Sequence, residues 1–229
     1  ALTGGTSVRW TGEPIDQRVP RFTPVAPAVE VARPRAYWIP AGWALPDLLD
    51  RLTAHGIEFT RLTAPQAAQV ERLRFAAPSF EPAPFEGRIR VRADASVEPA
   101  TVTYPAGSVR VATDQPHGTL AIALLEPDAP DSFFQWGFFH AIFSRTEYAE
   151  AYVLEPLAER MLASDPALAE AWQAALADDP ALADDPRARL AWFYERSPYV
   201  DQAHRLYPIG REMPAASTAA EASGDAAVQ

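Results

Sequence analysis

Between Tyr104 and Leu162 the sequence reads YPAGSVRVATDQPHGTLAIALLEPDAPDSFFQWGFFHAIFSRTEYAEAYVLEPLAERML, a dense apolar and aromatic block that contains no recognisable catalytic kit. So many large apolar side chains gain free energy by leaving water, so the block must organise a folded core. It names no reaction. At 229 residues and 48% hydrophobic content, the chain has material for one large domain or two small ones. The longest uninterrupted apolar run, Leu120 to Leu125, falls far short of the roughly 20 residues of a membrane helix, so no membrane insertion is expected. The opening ALTGGTSVRW lacks a basic n-region and an apolar h-region, which argues against a signal peptide. With no initiator Met and a start inside a Gly/Thr-rich phrase, the sequence reads as a piece of a longer polypeptide.

The formal charge of -10 gives a field that repels phosphate backbones and anionic membrane surfaces, so no nucleic-acid partner is expected. Every basic side chain other than histidine is Arg. Without lysine there is no Schiff base and no P-loop. Without cysteine there are no thiol nucleophiles, disulfides or Cys-rich zinc sites.

Residues 1–35 hold five prolines and short β-like phrases, and read as an extended connecting segment. Ala36 to Ile39 is a strand candidate. Leu45, Leu48, Leu49 and Leu52 fall at helical spacing within Trp43 to Ala54, Gly56 stands where a C-terminal cap belongs, and Ile57 to Leu62 reads as a strand. Further strand phrases are Val70 to Phe75, Arg88 to Ala93, Ala100 to Tyr104 and Ser108 to Ala112, with a tight turn at residues 105–107. Arg88, Arg90 and Arg92 alternate with Ile89 and Val91, which predicts a strand with arginines facing water.

After His117 the pattern becomes helical. Asp131-Ser132 predicts a cap for a helix over Phe133 to Phe143, and Glu147 to Ala163 is amphipathic, with Pro156 expected to kink or split it. Asp165-Pro166, Asp179-Pro180 and Asp185-Pro186 each offer an acidic N-cap with proline at the first helical position. The expected fold is α+β: one domain over 36–211, with a mixed sheet in 36–112 and a helical half over 117–205 packed on it. Small polar residues over 212–229 predict a disordered tail.

Candidate chemistry is sparse. His55-Gly-Ile-Glu58 has the His-x-x-Glu form of some zinc sites, with His117, His140 or His204 as conceivable third ligands. A helix end at Gly56 would leave His55 and Glu58 without a shared direction, so no metal ligand is assigned. No serine lies in a Gly-x-Ser-x-Gly elbow. The aromatic cluster Phe133, Phe134, Trp136, Phe138 and Phe139 is too dense to face one side of a helix, so it is core all round or partly a contact surface. If a binding surface exists, its candidate residues are Asp131, Gln135 and Trp136, joined by Arg110 and Gln115. No catalytic residue is assigned.

The phrases TGGTSVRWTGEP (3–14), RPRAYWIPAGW (33–43), HGIEFTRL (55–62), YPAGSVRVATDQP (104–116), LLEPDAPDSFFQWGFF (124–139), EYAEAYVLEPLAERML (147–162) and RLAWFYERSPYVDQAHRLYP (189–208) together resemble the C-terminal region of large bacterial carboxypeptidase A-like zinc metallopeptidases. In that family the zinc ligands, the general-base glutamate and the substrate arginine belong to an N-terminal peptidase domain, and none of those motifs maps here. The resemblance implies a non-catalytic accessory domain that packs on, or shapes access to, a peptidase domain of the same polypeptide. It implies zinc in that parent enzyme and no cofactor in this chain, and a periplasmic or secreted location. The competing reading is an independent peptide- or glycan-binding module that uses residues 133–139.

Overall fold

The computed structural model describes residues 2–24, 26–27, 29–144 and 150–214. The chain divides into two units, Ala1–Val31 and Ala32–Gln229. The described part of the first is extended, without helix or strand. Its prolines fix φ and remove backbone donors, which disfavours both kinds of regular ladder.

The second unit is an α+β body built on a six-stranded sheet. Its strands in chain order are β1 (Ala36–Ile39), β2 (Thr60–Arg61), β3 (Gln66–Phe75), β6 (Ala95–Tyr104), β7 (Val109–Ala112) and β8 (Gly210–Glu212), with β4 (Ser79–Phe80) and β5 (Val91–Arg92) forming a separate ladder. The spatial order is β2-β7-β1-β8-β3-β6, and every pairing is antiparallel. Strand directions in the sheet are therefore not mixed between neighbours. The strand–helix–strand unit read over 36–62 does form, but β1 and β2 each pair with β7 and not with one another.

Helix α1 (Pro46–Ala54) begins with proline at its first position and ends at Gly56, whose φ of +68° gives the left-handed cap. It lays Leu48, Leu49 and Leu52 on the sheet face formed by Tyr37, Ile39, Leu73, Phe75, Val109 and Val111. Helix α2 (Gly118–Leu125) and the loop after it complete that cover with Ala121, Leu125, Phe133, Phe134, Phe139 and Ile142. Each large apolar side chain fully buried here contributes about 1.5–3 kcal/mol relative to exposure. On the opposite face Trp38 stacks on Tyr104 at 5.0 Å, beside Val70.

The expected helix over Phe133 to Phe143 does not form. Residues 131–139 are successive turns, followed by a 3-10 turn at His140–Phe143. Gly137 has φ of +80°, a left-handed conformation that no α-helix tolerates, and it reverses the chain in mid-block.

The C-terminal helices are α3 (Ala151–Ser164), α4 (Pro166–Asp178), α5 (Pro180–Asp184) and α6 (Pro186–Tyr194). Pro156 lies inside α3 without splitting it. The predicted start at Glu147 falls in residues 145–149, outside the described residues. All three Asp-Pro signals form caps: an Oδ1 of Asp165, Asp179 and Asp185 accepts from the backbone N–H two residues on, at 3.0, 3.0 and 2.8 Å. The array closes around Trp172, Trp192 and Phe193, with centroids 4.7–5.0 Å apart. Strand β8 enters the sheet between β1 and β3 from a stretch that sequence reading leaves at the edge of the tail. Residues 215–229 of that tail lie outside the described residues.

Candidate functional site: an aromatic and arginine surface

The loop after α2 is locked by two polar side chains. Ser132, fully buried, accepts from the Gln135 N–H at 3.2 Å and donates to the Pro127 carbonyl at 3.3 Å. Gln135 in turn donates to the carbonyls of Val91 (3.0 Å) and Pro127 (3.2 Å), which fastens the β4–β5 hairpin to the loop. These contacts sort the aromatic block. Phe133, Phe134 and Phe139 point into the core, whereas Trp136 and Phe138 are left half-buried at the surface.

Trp136 lies 6.3 Å from Phe85, which stands exposed on the hairpin. The Arg90 guanidinium lies over both rings, at 5.0 Å from Phe85 and 5.9 Å from Trp136, and its Nη2 is 3.9 Å from the Asp131 carboxylate. Phe138 is flanked by Arg88 at 5.6 Å and Arg51 at 5.7 Å. Such contacts are each worth about 0.5–1 kcal/mol at exposed sites. The alternating arginines of 88–92 meet water in part as expected: Arg88 and Arg92 are exposed and Val91 is buried, but only Val91–Arg92 is strand and Arg90 is half-buried. Two of them lie on aromatic rings contributed from residues far along the chain, and Arg92 pairs with Glu81 at 3.3 Å. The result is an apolar platform edged by guanidinium groups, suited to a partner surface that offers apolar groups and carboxylates.

His140 sits behind this platform, edge-on to Phe80 and Phe134. Burial pushes its pKa down, helped by the Arg88 charge and opposed by the Phe134 carbonyl, so the imidazole stays neutral near pH 7. Its Nε2 is buried without a hydrogen-bond partner among the described residues.

Asp131, Gln135 and Trp136 are thus brought together, whereas Arg110 and Gln115 lie elsewhere. Arg110, on β7, makes a two-pronged contact to Glu212 of β8 at 3.0 and 3.2 Å, and covers the Trp38 ring. Trp38 Nε1 donates to the same carboxylate at 2.8 Å. Burial opposes ionisation of Glu212, but the Arg110 and Trp38 hydrogen bonds outweigh it and hold its pKa below the ordinary range. Gln115 clamps the backbone of Glu58, accepting its N–H at 2.8 Å and donating to its carbonyl at 3.0 Å.

That clamp and the helix end at Gly56 set the surroundings of His55 and Glu58. The His117 ring also reaches this turn, with Cδ2 3.3 Å from where a Cβ on Gly56 would stand. Among the described residues no group of three His, Cys, Asp or Glu side chains is arranged to hold a metal ion. The described residues therefore do not fit a zinc centre.

Beneath α2 lies a buried polar network. Tyr37 donates to Glu126 at 2.6 Å, Arg211 stands 3.6 Å from Glu126 and 3.0 Å from Glu71, and Tyr207 donates to the Leu125 carbonyl at 2.8 Å. Burial raises the Glu126 pKa despite the Tyr37 hydrogen bond and the Arg211 charge. The network joins β1, β3, β8 and the end of α2.

Sequence comparison finds the chain similar to Carboxypeptidase 2 of Trichophyton rubrum, Trichophyton tonsurans and Trichophyton equinum, each 33% identical over 115 residues. The match covers 50% of this chain and spans 21% of the length of those relatives. No family model matches the chain. No solved structure matches it. Half of the chain is thus a carboxypeptidase-related stretch.

Proposed function

We propose that this chain is a non-catalytic accessory region of a carboxypeptidase-like protein, docked on a zinc peptidase domain elsewhere in a longer polypeptide. The observation that carries the reading is the similarity to about a fifth of the length of Carboxypeptidase 2 from three fungi. Two surface features support it. The extended first unit exposes Trp10 (91%) and Phe22 (85%), together with Leu2, Val8, Ile15 and Val19, a concentration of apolar area that a larger assembly would cover. The platform of Phe85, Trp136 and Phe138 with its guanidinium rim has the composition of a contact surface between domains. In this reading the ordered hairpin and loop shape the approach to the peptidase active site, and export to the periplasm or the exterior accompanies the parent enzyme.

The reading is tested in the full polypeptide by replacing Arg90 and Trp136 with alanine. The expected result is a folded region that no longer protects the junction with the peptidase domain, seen as a new site of limited proteolysis. An unchanged cleavage pattern and unchanged activity would contradict docking through this surface.

A further inference from the structure

Arg205 is one of two non-glycine residues with positive φ among the described residues, at +60°. Its backbone is pinned on both sides: its N–H donates to the Ile142 carbonyl at 2.8 Å, and its own carbonyl accepts from the Phe75 N–H at 2.8 Å. Glycine adopts this conformation without strain, whereas arginine does not. The turn before it is a built structure. Arg74, paired with Glu98, also donates to the carbonyls of His204 (2.9 Å) and Gln202 (3.2 Å), and the Asp201 carboxylate accepts from the Ala203 N–H at 2.9 Å. Strain retained where the surroundings over-determine the backbone points to a use for the side chain.

Arg205 lines a cleft of about 610 Å³ together with Tyr194, Glu195, Tyr199 and Asp201. Among the described residues its guanidinium has neither an ion pair nor a hydrogen bond, in contrast to Arg74 beside it. Glu195 and Asp201 likewise have no ion-pair partner among the described residues. Among the described residues the cleft therefore presents a guanidinium without a side-chain partner and two carboxylates without an ion pair, one of which, Asp201, also holds the Ala203 N–H, around a polar and aromatic wall, in a volume typical of small-ligand sites. We infer that it binds a small zwitterion, an amino acid or short peptide with free ends, whose carboxylate pairs with Arg205 and whose ammonium faces Glu195 and Asp201. Arg74 acts as the positioning residue that holds the turn. The inference does not depend on the accessory reading, because it uses neither the aromatic platform nor a peptidase domain.

The test is an NMR titration of the labelled chain with trialanine, trialanine amide and N-acetyl-trialanine. Saturable shifts at the 194–205 cleft are expected for trialanine, with affinity about tenfold or more weaker for each blocked form. Arg205→Gly is expected to keep or raise the melting temperature, since it relieves the left-handed backbone, while losing the shifts. Arg205→Gln, which keeps the strain and removes the charge, should lose them too. Absence of saturation up to ~50 mM trialanine, equal binding of the amide, or unaltered binding by both variants would overturn the inference.

Discussion

The sheet body and the C-terminal helical array are held together by different means. In the body, three covering segments, α1, α2 and the turns of 131–143, share one continuous core with the sheet, and buried polar contacts tie distant strands together: Glu212 to Arg110 and Trp38, Glu126 to Tyr37 and Arg211. In α3–α6 the buried side chains are few, namely Leu154, Leu157, Ala158, Leu182 and Phe193, and much of the definition is local, from three Asp-Pro caps. Non-local interlocking makes the body the cooperative unit, whereas local caps fix where helices start without supplying comparable burial.

The contrast is broken most severely at Phe134, which meets Phe75, Phe143 and Tyr207 in the centre of the core. Phe134→Ala is expected to cost about 3–5 kcal/mol and to abolish the cooperative transition of the sheet body in chemical denaturation. Leu154→Ala, at the heart of the helical array, should cost about 2–3 kcal/mol. Hydrogen exchange should then accelerate in α3–α6 while the amides of β1, β3 and β7 stay protected. Equal loss in both regions would show that the two share one core after all.

Polar links give smaller effects with a pH signature. Glu212→Gln should cost about 1–3 kcal/mol at pH 7. Because the folded pKa of Glu212 lies below its ordinary value of 4.5, its contribution is present above that pH and is lost as pH falls through the folded pKa. The deficit of the variant should therefore shrink in acid. Glu126 has the opposite sign. Its folded pKa is raised, so its contribution is full below 4.5 and declines as pH rises through the folded value, and Glu126→Gln should gain stability relative to the parent as pH rises. Denaturation midpoints across pH check both slopes. The smallest effect is expected at Asp179, where alanine removes a cap on a five-residue helix for about 1 kcal/mol.

Local signals were the legible ones. Strand β1 has the bounds that its apolar run predicts, and each Asp-Pro pair starts a helix, because both depend on adjacent residues. Strand β8 was hidden: three residues beside a polar tail carry no periodicity, and their place is set by pairing with β1 and β3. The helix expected over Phe133 to Phe143 rests on the Asp131-Ser132 cap signal, and Gly137 is the readable warning against it. The surface of Arg90, Phe85 and Trp136 was legible only as separate phrases, since alternation at 88–92 says nothing of rings more than forty residues away. Arg110 and Gln115 lie outside that surface because each is committed to a backbone or carboxylate partner in its own part of the sheet.

The central proposal, that this chain is a non-catalytic region of a carboxypeptidase-like protein, is tested most directly on the purified 229-residue chain. Its metal content by mass spectrometry is measured together with hydrolysis of a peptide reporting release of the C-terminal residue, with and without added zinc. The account predicts no stoichiometric zinc and no hydrolysis. About one equivalent of zinc with turnover would contradict it and would make His55 and Glu58 the first residues to replace.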